Sequence, residues 1–266
     1  MKVVLQNHLG ENLSGNLENN GPGILAILVH GFKGNKDVSL YKNIESNLKK
    51  RKVSSLRFDF SGCGESEGNY SDSTFDKQVK ELNLIISKMD SYKKVMLIGH
   101  SMGCAVSLMA SGINPKVCGI VLMNPLVFPY ITFNDSIIKF SPFVLLSKFN
   151  PNNIRLPVDN DGIKKTKEKV ALALKRHVTG VKLFEEMKTL DLISIAKESR
   201  MPALIIHGKS DELIPISHAE YLNYNLKNSN LVVFDYPHYP FLKRDVEKIS
   251  NAASKFALKL KEKFLK

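Results

Sequence analysis

The sequence predicts an α/β fold: a mostly parallel sheet with an antiparallel hairpin at its N-terminus, helices on both faces and a helical cap inserted in the second half. Three observations predict it. Short apolar runs alternate with helical stretches, which implies right-handed strand–helix–strand crossovers. Several runs are continuously apolar rather than apolar at every second position, as strands buried on both faces must be. The alternation then fails between Pro125 and about Thr189, a block containing five prolines, and resumes after it.

Taken in order, Val3 to Leu5 and Leu13 to Leu17 flank an Asn- and Gly-bearing turn and read as the hairpin. Ile24 to Val29 is the first fully apolar run and ends at His30-Gly31. A helix follows from about Ser39 to Lys50, with Tyr41, Ile44 and Leu48 on one face. Val53 to Phe58 is a strand ending at Asp59, Phe75 to Met89 a helix, Val95 to Ile98 a strand, Met102 to Ala110 a helix and Ile120 to Met123 a strand. After the interruption come helix Leu190 to Glu198, strand Ala203 to Ile206, helix Ser217 to Asn225, strand Leu231 to Phe234 and a terminal helix from about Val246. The core is therefore expected at residues 1–125 and 189–266. The insertion, 126–188, turns helical from Ile163 and is expected to cover the carboxyl ends of the strands, where open α/β sheets bind ligands.

Composition narrows the function classes. At 266 residues, 43% hydrophobic and 24% charged, the chain resembles an ordinary globular protein, and folding buries roughly 70–75% of its unfolded surface, so the core needs no disulfide or metal. Cys63, Cys104 and Cys118 form no CxxC pair, which argues against a disulfide framework or structural zinc and for a reducing, cytoplasmic setting. The opening MKVVLQ is too short in apolar residues for a signal-peptide core. No run approaches the ~18 apolar residues of a membrane span. The net charge of +12 comes from scattered lysines, without the interleaved aromatics of a nucleic-acid surface. Neither nucleic acid nor integral membrane association is expected; the basic, apolar tail FALKLKEKFLK is expected to dock as a helix.

The strongest chemical signal is Gly99-His100-Ser101-Met102-Gly103, a GxSxG pentapeptide between a strand and a helix. A serine on such a turn stands above the sheet edge, and the helix that follows points free N–H groups at any oxyanion forming beside it. A serine hydroxyl needs a base, and the base needs an orienting acid. Of the seven histidines, His8 lies in the hairpin, His100 adjoins Ser101, and His177 falls in the insertion. His218 begins a helix and is expected to be solvated. His30 and His207 end strands, where a side chain more often props loops. His238 remains, in the proline-flanked loop after the last strand. Asp211 follows strand Ala203 to Ile206 at the same sheet edge and is the expected acid; Glu212 and Asp235 are the alternatives. The order Ser101, Asp211, His238 is that of the α/β-hydrolase triad.

Two other patterns carry less. Gly62, Gly64 and Gly68 follow a strand but lack the spacing and the immediate helix of a dinucleotide loop, so no cofactor is expected. Glu185 and Glu186 adjoin on a helix without a histidine one turn away, so they read as a solvated face rather than a metal site.

On its GxSxG elbow, its Ser101, Asp211, His238 order, its His30-Gly31-Phe32 and its Asp59-Phe60-Ser61-Gly62-Cys63-Gly64-Glu65-Ser66, the chain resembles α/β-hydrolase fold serine hydrolases of the esterase, acylglycerol lipase and serine aminopeptidase group. The resemblance covers nearly everything outside the insertion. It implies that the N–H groups of Phe32 and Met102 form the oxyanion hole. One local departure is that Tyr236-Pro237 precedes His238, where the family commonly has a glycine and a short polar stretch. The implied activity is hydrolysis of small carboxylic esters through an acyl-enzyme, on short to medium acyl chains or aromatic, cinnamoyl-type esters. Monoacylglycerol hydrolysis and aminopeptidase activity are alternatives, as is a noncatalytic ligand-binding role. His100, Phe128 and Tyr130 are the expected substrate contacts, in a region rich in Phe and Leu.

Overall fold

The computed structural model describes residues 1–129, 132 and 180–264. Among these, eight strands form one sheet: β1 (Lys2–Gln6), β2 (Asn12–Glu18), β3 (Ile24–Val29), β4 (Ser54–Phe58), β5 (Lys94–His100), β6 (Val117–Met123), β7 (Ala203–Gly208) and β8 (Ser229–Phe234), in the order β1-β2-β4-β3-β5-β6-β7-β8. β1 and β2 pair antiparallel, β2 joins β4 antiparallel, and every later pairing is parallel. The expected sheet and hairpin are therefore present. The described helices are α1 (Ser39–Lys50), α2 (Phe75–Lys88), α3 (Met102–Ile113), α4 (Val181–Thr189), α5 (Leu192–Glu198), α6 (Ser217–Asn225) and α7 (Lys243–Phe264). The expected helix Leu190 to Glu198 is α5, which starts two residues later, at Leu192, because Asp191 caps the N–H groups of Ile193 and Ser194. Most of the expected insertion, including His177 and Tyr130, lies outside the described residues.

Alternation along the buried strands divides two cores. Leu25, Ile27 and Val29 of β3 point to one face with Val95, Leu97, Ile120 and Leu122, where α2, α3, α5 and α6 cover them. Ile24, Ala26 and Leu28 point to the other with Met96, Ile98 and Val121, beneath α1 and α7. Strands of this kind read as unbroken apolar runs because both faces are dry. α2 starts at the side chain of Thr74, which accepts from Lys77 N–H. Glu186 of α4, expected on a solvated face, instead accepts from Phe75 N–H at 2.5 Å and ties α4 to the start of α2. Glu185 pairs with Lys188 at 2.8 Å.

Polar side chains fix the loops at the carboxyl edge. Asp59, just past β4 and 0% exposed, accepts from Lys36 N–H at 2.6 Å, from Lys36 Nζ at 2.9 Å and from Glu65 N–H at 3.0 Å. Burial opposes the Lys36 ammonium, but Glu65, Asp59 and Asp37 together raise its pKa above the ordinary value. Gly64, at φ +52°, wraps this carboxylate so closely that a Cβ would lie 2.2 Å from Oδ2. Gly64 thus serves an ion pair, while Gly62 and Gly68 lie against Tyr70 and Glu11. His30 donates from Nδ1 to Gly31 O at 2.9 Å and accepts Phe60 N–H on Nε2 at 3.0 Å, holding the loops after β3 and β4 together. His207 bonds Ile214 O through Nε2 at 3.0 Å. Both are loop props, as expected. His218 is not solvated: it is 5% exposed, and its Nδ1 accepts from Val127 N–H at 3.2 Å. His218, in the first turn of α6, thus supplies the acceptor that the buried Val127 N–H needs.

Two predictions follow from these buried groups. Lys36→Met leaves Asp59 buried without its cation and is expected to cost about 3–5 kcal/mol in urea unfolding. Burial, with His207 nearby, lowers the pKa of His218 from 6.5 to about 4. The unfolded chain therefore binds that proton first as pH falls, so stability is complete above about 6.5 and declines toward pH 4. Thermal melting across this range checks the decline, and His218→Asn, which keeps an acceptor for Val127 but does not titrate, is expected to make it shallower, His30, His100 and His207 supplying the rest.

Candidate active site

β5 delivers Ser101 to the carboxyl edge. Ser101 has φ 54° and ψ −121°, and α3 begins at the next residue. An unstrained residue does not adopt this conformation; neighbours on both sides hold it. Ser101 N–H donates to Met123 O on β6 at 2.9 Å. Two residues on, a Cβ at Gly103 would lie 2.3 Å from Val29 O and 2.6 Å from His30 O. Only glycine lets α3 approach β3 this closely. A Cβ at Gly31 would meet His100 O at 2.9 Å, Ser101 Cβ at 3.0 Å and Met102 N at 3.5 Å. The segment after β3 is thus pressed against the elbow. It turns back at once, with Gly34 N–H bonded to Gly31 O at 3.0 Å. The Phe32 ring stands edge-on to Tyr70 at 5.4 Å.

The loops after β7 and β8 bring Asp211 and His238 together. His238 Nδ1 donates to Asp211 Oδ2 at 2.8 Å, and the two side chains are 3% and 1% exposed. With its Nδ1 proton so committed, the neutral ring keeps a lone pair on Nε2. Asp211 Oδ1 accepts from Leu213 N–H at 2.9 Å and Ile214 N–H at 2.8 Å. Burial pushes the Asp211 carboxyl up, but the His238 hydrogen bond and charge and these two N–H groups outweigh it, leaving the pKa below the ordinary value. It is therefore a carboxylate near neutral pH. The alternative acids are engaged elsewhere: Glu212 accepts from His238 backbone N–H at 3.3 Å, and Asp235 accepts from Ser210 at 2.7 Å.

His100 packs behind this pair. Its Nε2 donates to His238 O at 3.1 Å, and its ring lies 5.0 Å from that of His238 and 5.1 Å from that of Tyr239. Burial and the neighbouring His238 lower its pKa to about 3, so it is a neutral buttress. Phe128, half-buried, meets His218 edge-on at 5.1 Å and Tyr221 at 5.5 Å. Tyr130 lies outside the described residues.

Sequence reasoning missed Asn124 and Tyr236. Asn124 Nδ2 donates to Asp211 Oδ2, and Tyr236 donates its hydroxyl proton to Asn124 Oδ1 at 2.5 Å. A signal was present: Asn124 is the polar residue directly after an apolar strand, as Asp59 is. Among the described residues, no group of three or more His, Cys, Asp or Glu is placed to hold a metal, and no helix is long and apolar enough to cross a membrane.

Comparison with known proteins agrees with this architecture. The human serine hydrolase BPHL is 25% identical over 214 residues, covering 77% of this chain and 69% of that protein. Est1E from Butyrivibrio proteoclasticus, solved with ferulic acid bound, superposes with a TM-score of 0.73 at 21% identity, covering 98% of each chain. The Pyrococcus furiosus esterase Pf2001 superposes with a TM-score of 0.71 at 19% identity, covering 100% of this chain and 91% of that one. The sequence model described as serine aminopeptidase, S33, matches residues 22–239. The chain is thus an α/β hydrolase and belongs to the serine aminopeptidase family, S33.

Proposed function

We propose that this chain hydrolyses carboxylic esters through an acyl-enzyme, with Ser101 as nucleophile, His238 as general base and Asp211 as the acid that orients it. The observation that carries the reading is the buried 2.8 Å bond from His238 Nδ1 to Asp211, at the sheet edge where Ser101 stands on its strained turn. Nε2 takes the Ser101 proton as Oγ attacks the ester carbon. The oxyanion is held by the N–H groups of Phe32 and Met102, the latter at the N-terminus of α3. Collapse breaks the bond to the alcohol, which leaves with the proton from Nε2. Water then repeats the sequence on the acyl-serine and releases the acid.

Short to medium acyl esters and aromatic, cinnamoyl-type esters are the proposed substrates; ferulic acid bound to the similarly folded Est1E favours the second class. Residues 126–188 are proposed as the cap over this site, with Phe128 and Tyr130 as contacts. Monoacylglycerols remain within the same chemistry. The family's name favours an aminopeptidase, which needs a carboxylate for the substrate's ammonium group. The acids nearest that role are already engaged: Glu185 by Lys188, Glu186 by Phe75 N–H and Asp191 by the start of α5. Burial pushes the thiols of Cys63 and Cys118 up to about 12 and about 11. Cys63, Cys104 and Cys118 are all free thiols, as the proposed cytoplasmic setting would leave them.

Ser101→Ala is expected to lower kcat for p-nitrophenyl esters by about 10⁶-fold while leaving the melting temperature unchanged. A variant keeping a tenth of the activity would overturn the assignment. Labelling by a fluorophosphonate is expected at Ser101; an unlabelled native protein would favour the noncatalytic ligand-binding role. Faster turnover of aminoacyl p-nitroanilides than of p-nitrophenyl esters would instead mark a peptidase.

A further inference from the structure

Beneath the His238 imidazole, the loops after β6, β7 and β8 converge on one amide. Asn124 closes β6 at φ 48°, a left-handed conformation that asparagine tolerates better than most residues. It is 0% exposed, and its backbone N–H donates to Ile206 O on β7 at 2.8 Å. Its Nδ2 donates to Asp211 Oδ2, the oxygen that also accepts from His238 Nδ1. Its Oδ1 accepts from the Tyr236 hydroxyl at 2.5 Å. Tyr236 is 2% exposed and lies two residues before His238. Its ring covers Gly208 at the end of β7, where a Cβ would come within 3.0 Å of ring carbons.

An amide has a donor end and an acceptor end, and only the donor end suits a carboxylate. By giving its proton to Oδ1, the Tyr236 hydroxyl turns the NH₂ group toward Asp211. A reversed amide would set oxygen against oxygen among buried groups, where the repulsion is poorly screened. Tyr236 keeps the proton this requires, because burial and then the Asp211 charge raise its phenol above the ordinary value.

We propose that Asn124 and Tyr236 are positioning residues for the reaction, the chain Tyr236 to Asn124 to Asp211 fixing which carboxylate oxygen serves His238 and how strongly it draws the imidazole proton. This rests on the ester-hydrolase reading of Ser101, His238 and Asp211. It also gives a function to the Tyr-Pro that precedes His238, since the tyrosine carries the hydroxyl that sets the amide.

Loss of the amide donor leaves Asp211 with more charge for its remaining partner and so favours the imidazolium. The acidic limb of kcat/KM then moves to higher pH. Around this pair stand His100 at the end of β5, His207 of β7, Glu212 in the next loop and His218 of α6, with Tyr239 beside His238. Burial holds the three histidines below their ordinary pKa and Tyr239 above its own, while Glu212 accepts the His238 backbone N–H.

The test is p-nitrophenyl ester hydrolysis from about pH 5 to 9 by Tyr236→Phe, Asn124→Gly, the double variant and Ser101→Ala, each checked by thermal melting. Tyr236→Phe removes one oxygen and keeps the ring over Gly208; Asn124→Gly keeps the backbone conformation. Each single variant is expected to lose about ten-fold in kcat with KM unchanged, the order of loss that small misplacements of reacting groups produce, and to shift the acidic limb upward by about 0.5 pH unit. In the Asn124→Gly background, Tyr236→Phe is expected to cost nothing further, because it acts only through the amide. Multiplying losses, or losses with an unmoved acidic limb, would overturn the positioning role. So would single variants indistinguishable from wild type beside an inactive Ser101→Ala, and the hydrolase reading would then stand. Activity in Ser101→Ala would remove that reading and this inference with it.

Discussion

The first turn of α3 lies against β3 at a distance that no side chain permits, with Gly103 pressed on the carbonyl oxygens of Val29 and His30. A helix held this close to the sheet must leave β5 by an abrupt reversal, and the reversal puts Ser101 into its left-handed backbone conformation. Such a conformation costs on the order of 1–3 kcal/mol and persists only where the surroundings impose it. Here they do so from three sides: β6 takes the Ser101 N–H, β3 receives α3, and Gly31 abuts the elbow. The strain and the presentation of the hydroxyl are therefore one fact.

Around this point two kinds of interaction divide the work. Apolar side chains on both faces of the sheet supply stability without specifying where a loop goes. Direction at the carboxyl edge comes from buried polar groups with few geometric solutions. Lys36 and Asp59 fix the loops after β3 and β4, His30 bridges them, and Asp211 gathers Leu213, Ile214, Asn124 and His238. A buried charge pair adds little to stability against an apolar substitute, yet each partner binds the other to one position. Burial keeps the surrounding histidines neutral, so the Asp211 carboxylate faces few competing cations.

Much of this was legible in the sequence where the signal is local. Fully apolar strands, the GxSxG context of Ser101 and the polar residues at strand ends each follow from neighbours a few positions away. α1 and α6 were expected at the bounds observed, since their periodicity and flanks agree. What escaped depends on partners far along the chain. His218 at a helix start looks solvated until Val127, 91 residues before it, requires an acceptor; Glu186 looks solvated until it reaches Phe75, 111 residues away. Asn124 shows locally only as a polar residue after an apolar strand, and its role depends on Asp211 and Tyr236, 87 and 112 residues away. His238 was reached mainly by elimination, and its bond to Asp211 supplies the geometry that spacing could not.

β8 differs from the other parallel strands: it pairs with β7 alone, and none of its residues is fully buried. An edge strand opens at a lower free energy than the centre of its sheet. The serine follows a strand at the centre of the sheet, whereas the histidine follows the strand at its edge. The Tyr236 bond to Asn124 crosses from the β8 loop to β6 and bypasses β7, so it works as a mooring line for the strand as well as a support for the carboxylate. On warming, the bond from His238 to Asp211 is expected to part with that line, before the centre of the sheet melts.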